Sequence, residues 1–484
     1  MSERGIWIDN AERLGSGATL VVRSPYDDHV VARIASASPA DVEAAISSAA
    51  RAHGEVLRHL PAHERSAALR HIADGIRARH DELVDTVVEE GGKPVRDARR
   101  EIGRAAQLFS MAADLVATMP IGAVLPMDSV PGGEGRFGYT MRVPVGVIAA
   151  IVPSNSPINL AANKVAPALA MGNAVVMKPA DQTPVSALML AEIVRDAGLP
   201  AGALNVVIGS VDDAARPLVT DDRVRMVTVT GGVATGRAIA ATAGLKKLTL
   251  ELGSSAANVV CADADPVATA RTLATSAFLS SGQACISAQR LIVHSSIIEE
   301  FSAELVRAAQ AMVIGDPRDP ETEIGPLASA AHLEQLLEWI DQAKSLGATV
   351  LTGGERHERT IRPTVLRDVP AEAALSCEEA FGPIATLAAF DTIEEAFALV
   401  NDSRFGLQAG LFTNDLQTAF RAASEIDVGA LWINDSSRYR QDNYPFGGRK
   451  LSGIGREGVE YAMEEMSELR FVGIRLVSTG GLPG

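Results

Sequence analysis

The sequence predicts an α/β protein built on parallel sheets, and three observations carry that prediction. From Gly146 to Glu251, short apolar runs alternate with helical stretches, the rhythm of right-handed βαβ crossovers. A second α/β series begins after Glu251. The chain has 484 residues, too many for one small core, so about two or three domains are expected.

Taken in order, residues 1–36 read as short strands and turns, with apolar clusters at Thr19-Leu20-Val21-Val22 and Val30-Val31. From Pro39 the pattern becomes helical, with Asp41 expected to cap a helix over 42–52. Segments 63–79 and 81–87 repeat apolar residues at three- and four-residue spacing, as amphipathic helices do. After Gly91-Gly92-Lys93-Pro94 another helix is expected over 95–117. Residues 120–145 are rich in Gly, Pro and short apolar pieces. They read as a small β-ribbon, which needs a partner surface because an isolated ribbon is marginally stable.

The first α/β series places strands at 147–152, 174–177, 204–208, 225–229 and 246–250, with helices at 160–170, 184–196 and 233–243. The second places helices at 266–278, 297–312, 331–346, 393–401 and 415–425, and strands at 290–294, 348–351 and 430–433. The tail, 468–477, reads as a strand.

Composition narrows the function. Hydrophobic residues make up 47% of the chain, as in a well-buried globular protein. The formal net charge is −16, which argues against nucleic acid or an anionic membrane as partner, because a phosphate backbone calls for a basic surface. It does not exclude a small anionic substrate, which senses only local charge. Three cysteines without pairing spacing argue against a disulfide framework and for a reducing compartment. No CxxC or Cys/His cluster suggests zinc, so no metal is expected. The start lacks an apolar signal core, and the longest apolar run, 143–153, is too short to span a bilayer. A soluble cytoplasmic protein is the expectation.

Chemistry-bearing residues gather where strands end, which is where ligands bind in open α/β sheets. Asn155 follows the strand 147–152. Lys178 ends 174–177 and leads to Asp181. Thr230-Gly231-Gly232 ends 225–229 and opens a helix whose first N–H groups could hold a phosphate. Glu251 ends 246–250. Ser280-Ser281-Gly282-Gln283-Ala284-Cys285 joins a helix to a strand, and its small residues suit a thiol that must be approached closely. Singly, each of these could be a cap or turn residue, and a lone Cys is usually buried and inert, the reading kept for Cys261 and Cys377. A formal GxGxxG at 453–458 is treated as chance, because no strand feeds it and too little chain follows for a βαβ unit.

Together, PxNxP at 153–157, KPA at 178–180, TGG…G at 230–236, ELG at 251–253, GQxC at 282–285, ExFGP at 379–383 and PFGGxKxSGxGRE at 445–457 resemble the aldehyde dehydrogenase superfamily. The motifs stand in that family's order and cover nearly the whole chain. The resemblance implies two Rossmann-like parallel-sheet domains with a small β flap. Residues 1–122 and 143–251 would bind the cofactor, 252–457 would form the catalytic domain, and 123–142 with 466–480 would pair subunits into a homodimer or homotetramer.

It also implies roles. Cys285 would be the nucleophile that adds to the aldehyde. Asn155 and the Cys285 N–H would form the oxyanion hole. Glu251 would activate water to hydrolyse the thioester. Lys178 and Glu379 would hold cofactor ribose hydroxyls, Phe381 the nicotinamide side, and Gly231 and Gly232 would admit the pyrophosphate. Asp181 favours NAD over NADP, since a carboxylate there repels a 2′-phosphate.

Ser154 and Ser156 flank Asn155 where many relatives have aromatic residues, and aromatic residues are only 4% of the chain. A long apolar tunnel is therefore not expected. Arg104, Arg290, Arg438 and Arg440 fall in segments that shape the family's substrate mouth, with Arg290 and Arg440 the stronger candidates. Arginine suits bidentate recognition of an oxyanion. The expected substrate is a small polar, anionic aldehyde of the lactaldehyde, phosphonoacetaldehyde and non-phosphorylating glyceraldehyde-3-phosphate dehydrogenase branch. Phosphonoacetaldehyde is the first specific expectation; lactaldehyde, glyceraldehyde 3-phosphate or a semialdehyde are the alternatives. A CoA-acylating enzyme and a non-catalytic structural homologue are the competing classes.

Overall fold

The computed structural model of the protein describes residues 3–476. Two large sheets organise it. The first has eight strands in the order Ala11–Arg13, Ile6–Ile8, Leu204–Val206, Ala174–Pro179, Val147–Val152, Val224–Thr230, Lys247–Glu251 and Gly453–Ile454. Neighbours from Leu204–Val206 to Lys247–Glu251 run parallel, and the outer strands are antiparallel. Strand order reverses between Val147–Val152 and Val224–Thr230, which makes their carboxyl ends a topological switch point. Both faces carry helices, so these strands are near-continuous apolar runs rather than alternating ones; all six residues of Ala174–Pro179 are buried.

The second sheet has seven strands, in the order Thr349–Thr352, Thr364–Arg367, Ile384–Phe390, Arg290–His294, Ala257–Val260, Gln408–Phe412 and Ala430–Ile433. All neighbours are parallel except the Thr349–Thr352 edge. A third, three-stranded antiparallel sheet joins Ser467–Arg475, Arg136–Pro144 and Val124–Leu125. The ribbon at 120–145 thus finds its partner in the chain's own tail, in register from Ser467 opposite Pro144 to Arg475 opposite Arg136. Residues 477–480, the end of the segment expected to pair subunits, lie outside the described residues.

Helices Pro184–Asp196, Pro266–Phe278 and Ile393–Asn401 and strands Arg290–His294 and Ala430–Ile433 fall where the periodicity places them. Four strands of the second sheet escape it: Ala257–Val260, Thr364–Arg367, Ile384–Phe390 and Gln408–Phe412. They are short and covered on both faces. Ile384–Phe390, IATLAAF, shows neither alternation nor β-branched enrichment, so its period is ambiguous.

Two smaller expectations are corrected. Asp41 is not the N-cap of its helix, which spans Pro39–Glu55. Ser38 caps it, and Asp41 closes a reciprocal capping box from the third helical position. The Asp41 carboxylate also accepts the N–H and hydroxyl of Ser16, which is why it reads as a cap. Cys261 is buried, but Cys377 is exposed because it ends a short helix, Ala374–Cys377, at the surface. No helix among the described residues is long and apolar enough to cross a membrane.

The capping box predicts coupled losses. Ser38→Ala costs about 1 kcal/mol of helix stability. Asp41→Ala costs more because it also releases Ser16. The double variant costs less than the sum, since each single change already breaks the reciprocal pair. Urea-denaturation midpoints check this; strictly additive losses would refute the shared box.

Candidate active site

The motif residues converge between the carboxyl ends of the first sheet and the amino ends of the second. Asn155 follows the strand Val147–Val152, while Cys285 lies five residues before the strand Arg290–His294. Asn155 Nδ2 donates to the Gln283 carbonyl at 3.1 Å, which joins the two segments directly. A cavity of about 750 Å³ opens over them, lined by Asn155, Ser156, Ser280, Cys285, Ile286, Arg104, Arg438 and Arg440 among others.

The loop before Cys285 is strained. Ser280 and Ser281 have φ of 53° and 57° and Gly282 has 67°, so three consecutive residues are left-handed. This conformation costs a non-glycine residue about 1–2 kcal/mol. Each serine is tied down by its hydroxyl: Ser280 Oγ donates to Asp97 Oδ2 at 2.8 Å and Ser281 Oγ to the Gly325 carbonyl at 2.9 Å. Gly282 can be nothing else, because a Cβ there would lie 2.0 Å from the Gly382 carbonyl oxygen. The loop delivers a backbone N–H at Cys285 that has no acceptor among the described residues, beside the Asn155 amide. Burial pushes the Cys285 thiol up to about 12, against the pull of Arg440.

Glu251 ends its strand with only 3% of its surface exposed and neither carboxylate oxygen hydrogen-bonded. Its Oε1 lies 2.9 Å from where a Cβ on Gly447 would sit, so the PFGG motif makes room for the ELG carboxylate. Burial, then repulsion from Glu457, raises its pKa well above the usual carboxylate range. Glu457 has the opposite fate. Though equally buried, it accepts Lys164 Nζ and Arg440 Nη2, each at 2.8 Å, and these cations hold it down to about 2. Lys164 is fully buried, and Glu457 is the anion that offsets the cost of burying it. Lys164, Asp97 and Glu101 carry no motif in the sequence, and Glu457 appears there only as the last residue of PFGGxKxSGxGRE, with no role attached. The signal for Lys164 is a lone charge in the otherwise uncharged helix Pro157–Ala170.

The residues expected to hold the cofactor line the opposite approach. Lys178 Nζ, nearly buried, donates to Asp181 Oδ1 at 2.9 Å, so the two form one polar unit. Gly232 caps the helix Val233–Thr242. A Cβ on Gly231 or Gly232 would meet open space, and the first-turn N–H groups of this helix have no backbone acceptor among the described residues. Glu379 accepts the Ser254 N–H at 3.0 Å, and burial lifts its pKa to about 7. Phe381, two residues on, has φ of 46°. This unit of paired Lys and Asp, open helix terminus and buried carboxylate fits ribose hydroxyls and a pyrophosphate.

The four arginines sort by counter-ion. Arg290 is not at this cavity: it lines a separate one with Cys377, Glu378 and Asp402 and donates to the Leu399 carbonyl. It therefore lies away from the cavity that Cys285 lines, contrary to its expected place at the substrate. Arg104 lines the cavity but is held by both oxygens of Asp442 at 3.0 Å. Arg440 is held by Glu457 and lies 3.7 Å over the Phe446 ring; those carboxylates raise its pKa despite burial. Arg438 differs. It donates only to neutral oxygens, Ser287 Oγ at 2.8 Å and the Ser276 carbonyl at 3.4 Å, and no carboxylate among the described residues lies within 4.0 Å of it. Burial lowers its pKa to about 10.

Comparison with known proteins agrees with this geometry. The sequence model of the aldehyde dehydrogenase family matches residues 13–472. A 3-sulfolactaldehyde dehydrogenase of Priestia megaterium is 41% identical over 98% of this chain and 97% of its own. A lactaldehyde dehydrogenase of Methanocaldococcus jannaschii is 35% identical over 97% and 98%. Among solved structures, aldehyde dehydrogenase 21 of Physcomitrella patens with its product succinate superposes with a TM-score of 0.95 at 36% identity, over 99% of this chain and all of that one. PnpE with nicotinamide adenine dinucleotide gives 0.94 at 36%, over 99% of each. The glyceraldehyde-3-phosphate dehydrogenase GapN of M. jannaschii with NADP gives 0.90 at 35%, over 94% and 99%.

The pairing of Glu251 with Glu457 predicts a pH effect. Glu251 can accept a proton only when ionised, and its pKa is raised, so turnover is lost as pH falls through that pKa. Glu457→Gln removes the repelling charge and frees Lys164 and Arg440 to attract Glu251. Both changes lower its pKa, so the rising limb of the kcat–pH profile moves to lower pH. A limb that stays put or moves up would refute the coupling.

Proposed function

The chain belongs to the aldehyde dehydrogenase family, an NAD(P)-dependent oxidoreductase family, and from that premise we propose that it oxidises a small anionic aldehyde to the free carboxylic acid. The observation that carries the substrate class is Arg438, a half-buried guanidinium in the cavity that holds Cys285, with no carboxylate within ion-pair distance and the Asp97 charge acting on it only from farther off. A half-buried cation that rests only on neutral oxygens gains from a direct partner, and a substrate oxyanion supplies it. Arg104 and Arg440 already have theirs and shape the field instead.

The mechanism follows from the geometry. The Cys285 thiol, recessed and hard to ionise, gives its proton to Glu251, which passes it to solvent, as the sulfur bonds to the carbonyl carbon. The Asn155 amide and the Cys285 N–H receive the developing oxyanion; such donors are worth about 10²–10³ in rate. Lys178, Asp181, Gly231, Gly232, Glu379 and Phe381 would hold a dinucleotide, whose chemistry is to accept the hydride. Glu251, unpartnered and poised to take a proton, then draws one from water as it attacks the thioester. An intact Glu251 favours water over CoA as acceptor, and the full set of Cys285, Asn155 and Glu251 argues against a non-catalytic homologue. Relatives bind NAD or NADP; Asp181 favours NAD here.

The relatives take their names from sulfolactaldehyde, lactaldehyde and glyceraldehyde 3-phosphate rather than from a phosphonate, so the phosphonoacetaldehyde expectation yields to its alternatives. We favour a three- or four-carbon aldehyde ending in sulfonate or carboxylate, in keeping with the 3-sulfolactaldehyde relative and the succinate-bound structure; the lactaldehyde relative shares the chain length but not the charge. We assign residues 1–122 and 143–251 to cofactor binding, 252–457 to catalysis, and 123–142 with 466–480 to subunit pairing. The last assignment is supported by Leu469 and Phe471, 62% and 51% exposed on the small sheet.

Purified protein assayed for NADH formation tests the reading. Cys285→Ala should abolish turnover, and Glu251→Gln should give at most about one equivalent of NADH, formed more slowly, and then stall at the thioester, since sulfur attack and hydrolysis both use the base. CoA should not accelerate the wild type. Arg438→Ala should raise KM for 3-sulfolactaldehyde and succinate semialdehyde by about 10-fold or more, the worth of a charge-assisted hydrogen bond, and leave KM for propionaldehyde within about 2-fold, while Arg290→Ala spares all three. Equal effects of Arg438→Ala on charged and neutral aldehydes would refute the anion assignment. Leu469→Asp with Phe471→Asp should lower the mass seen by light scattering; an unchanged mass would refute the pairing surface.

A further inference from the structure

Two acidic residues that the mechanism does not use stand one turn apart on the helix Val95–Thr118. Asp97 and Glu101, 6% and 5% exposed, share a helix face as i and i+4 neighbours do. Each reaches a different half of the site. Asp97 Oδ2 accepts Ser280 Oγ at 2.8 Å, the first of the left-handed residues that lead to Cys285; its other oxygen faces Arg100 Nη1 at 3.5 Å. Glu101 Oε1 accepts the N–H groups of Ile158 and Asn159 at 2.9 and 3.2 Å. These are first-turn donors of the helix Pro157–Ala170, which follows Asn155.

That helix lacks a cap of its own. Ser156 occupies the N-cap position, but its side chain makes no cap bond. Its hydroxyl instead accepts Lys93 Nζ at 2.9 Å, and Lys93 also pairs with the other oxygen of Glu101. Glu101 therefore supplies from another element the anion that a helix N-terminus favours, and Lys93 neutralises it and fixes the residue next to Asn155. The strained Ser280 is likewise held from the same helix. The Asn155–Gln283 hydrogen bond then spans a gap whose two walls are both referenced to one rigid rod.

We propose that Asp97 and Glu101 are positioning residues that set the separation of the two oxyanion donors, the Asn155 amide and the Cys285 N–H. The inference rests on the assignment of those donors in the proposed mechanism. It gives Lys93 the subsidiary task of holding the Glu101 carboxylate in place. A rod bearing both carboxylates keeps the donors in register, and such geometry matters because small misplacements of an oxyanion donor cost rate without costing substrate affinity.

The test uses isosteric variants of the full chain. Glu101→Gln keeps one acceptor but presents an amide to Lys93; kcat should fall about 10-fold, part of the 10²–10³ that a whole donor is worth, with KM for aldehyde and NAD within about 2-fold. Asp97→Asn retains an acceptor for Ser280 and should keep most of the turnover, whereas Asp97→Leu should lose about as much as Glu101→Gln. Alkylation of Cys285 by iodoacetamide needs no oxyanion hole, so its rate should hold in all three. In the Asn155→Ala background, Glu101→Gln should cost less than about 2-fold, because the donor it positions is gone. Unchanged kcat in Glu101→Gln, equal loss in Asp97→Asn and Asp97→Leu, a parallel fall in alkylation, or a full Glu101→Gln effect without Asn155 would each overturn the proposal. Full turnover in Asn155→Ala by itself would instead remove the oxyanion assignment, and the clamp with it.

Discussion

The buried carboxylate of Glu457 is the constraint on which the site depends. Lys164 and Arg440 are two cations whose side chains are almost fully buried, and a buried cation without a partner is costly. Glu457 accepts both at 2.8 Å and so saturates them. Had Glu251 been their partner, it would be a fixed anion with a depressed pKa and little capacity to take a proton. Because Glu457 occupies the cations, Glu251 is left buried, unpartnered and repelled by a neighbouring negative charge. Two carboxylates in one pocket with pKa values driven apart have been given different tasks by their surroundings: one holds the framework, the other is free to exchange a proton.

The motifs read together because they are in physical contact, not because each is strong. Gly282 of GQxC has its place only because the Gly382 carbonyl of ExFGP presses against it, and Gly447 of PFGG leaves the space that Glu251 of ELG fills. Segments separated by about 100 to 200 positions in the chain thus set one another's residue types. A substitution in one loop is therefore felt as a steric or electrostatic error in another, where the chain offers no local warning.

This explains what could be read from the sequence and what could not. The fold class and the five parallel strands of the first sheet were legible, because periodicity is a local property, whereas Cys285, Asn155 and Glu251 stood out only as members of a set of motifs. The strands Ala257–Val260, Ile384–Phe390 and Gln408–Phe412 were not, since a strand buried on both faces loses the alternation that marks it. Asp97 and Glu101 sit in VRDARREIGR, among charges that read as a solvated helix face. Only the packing of Ser280 and of the helix Pro157–Ala170 against that face reveals two buried acids.

The arginines make the same point about chemistry rather than shape. Arg290, Arg438 and Arg440 are alike as residue types and near one another or near Cys285 in sequence, and spacing favoured Arg290 and Arg440. What separates them is the partner each already has. Arg290 begins a strand and turns into a different cavity. Arg440 is taken by Glu457, and Arg104 by Asp442. A guanidinium already paired with a carboxylate has little attraction left for a second anion, whereas one resting on a serine hydroxyl and a carbonyl keeps its full charge to offer. Recognition of an anionic aldehyde therefore falls to the arginine with the fewest partners. Arg438 is also bonded through Ser287 to the Gly282 carbonyl, within the loop that presents Cys285. The group that binds the substrate's charge is thus fixed to the group that meets its carbonyl, and the length of aldehyde the site accepts is set by that short chain of hydrogen bonds.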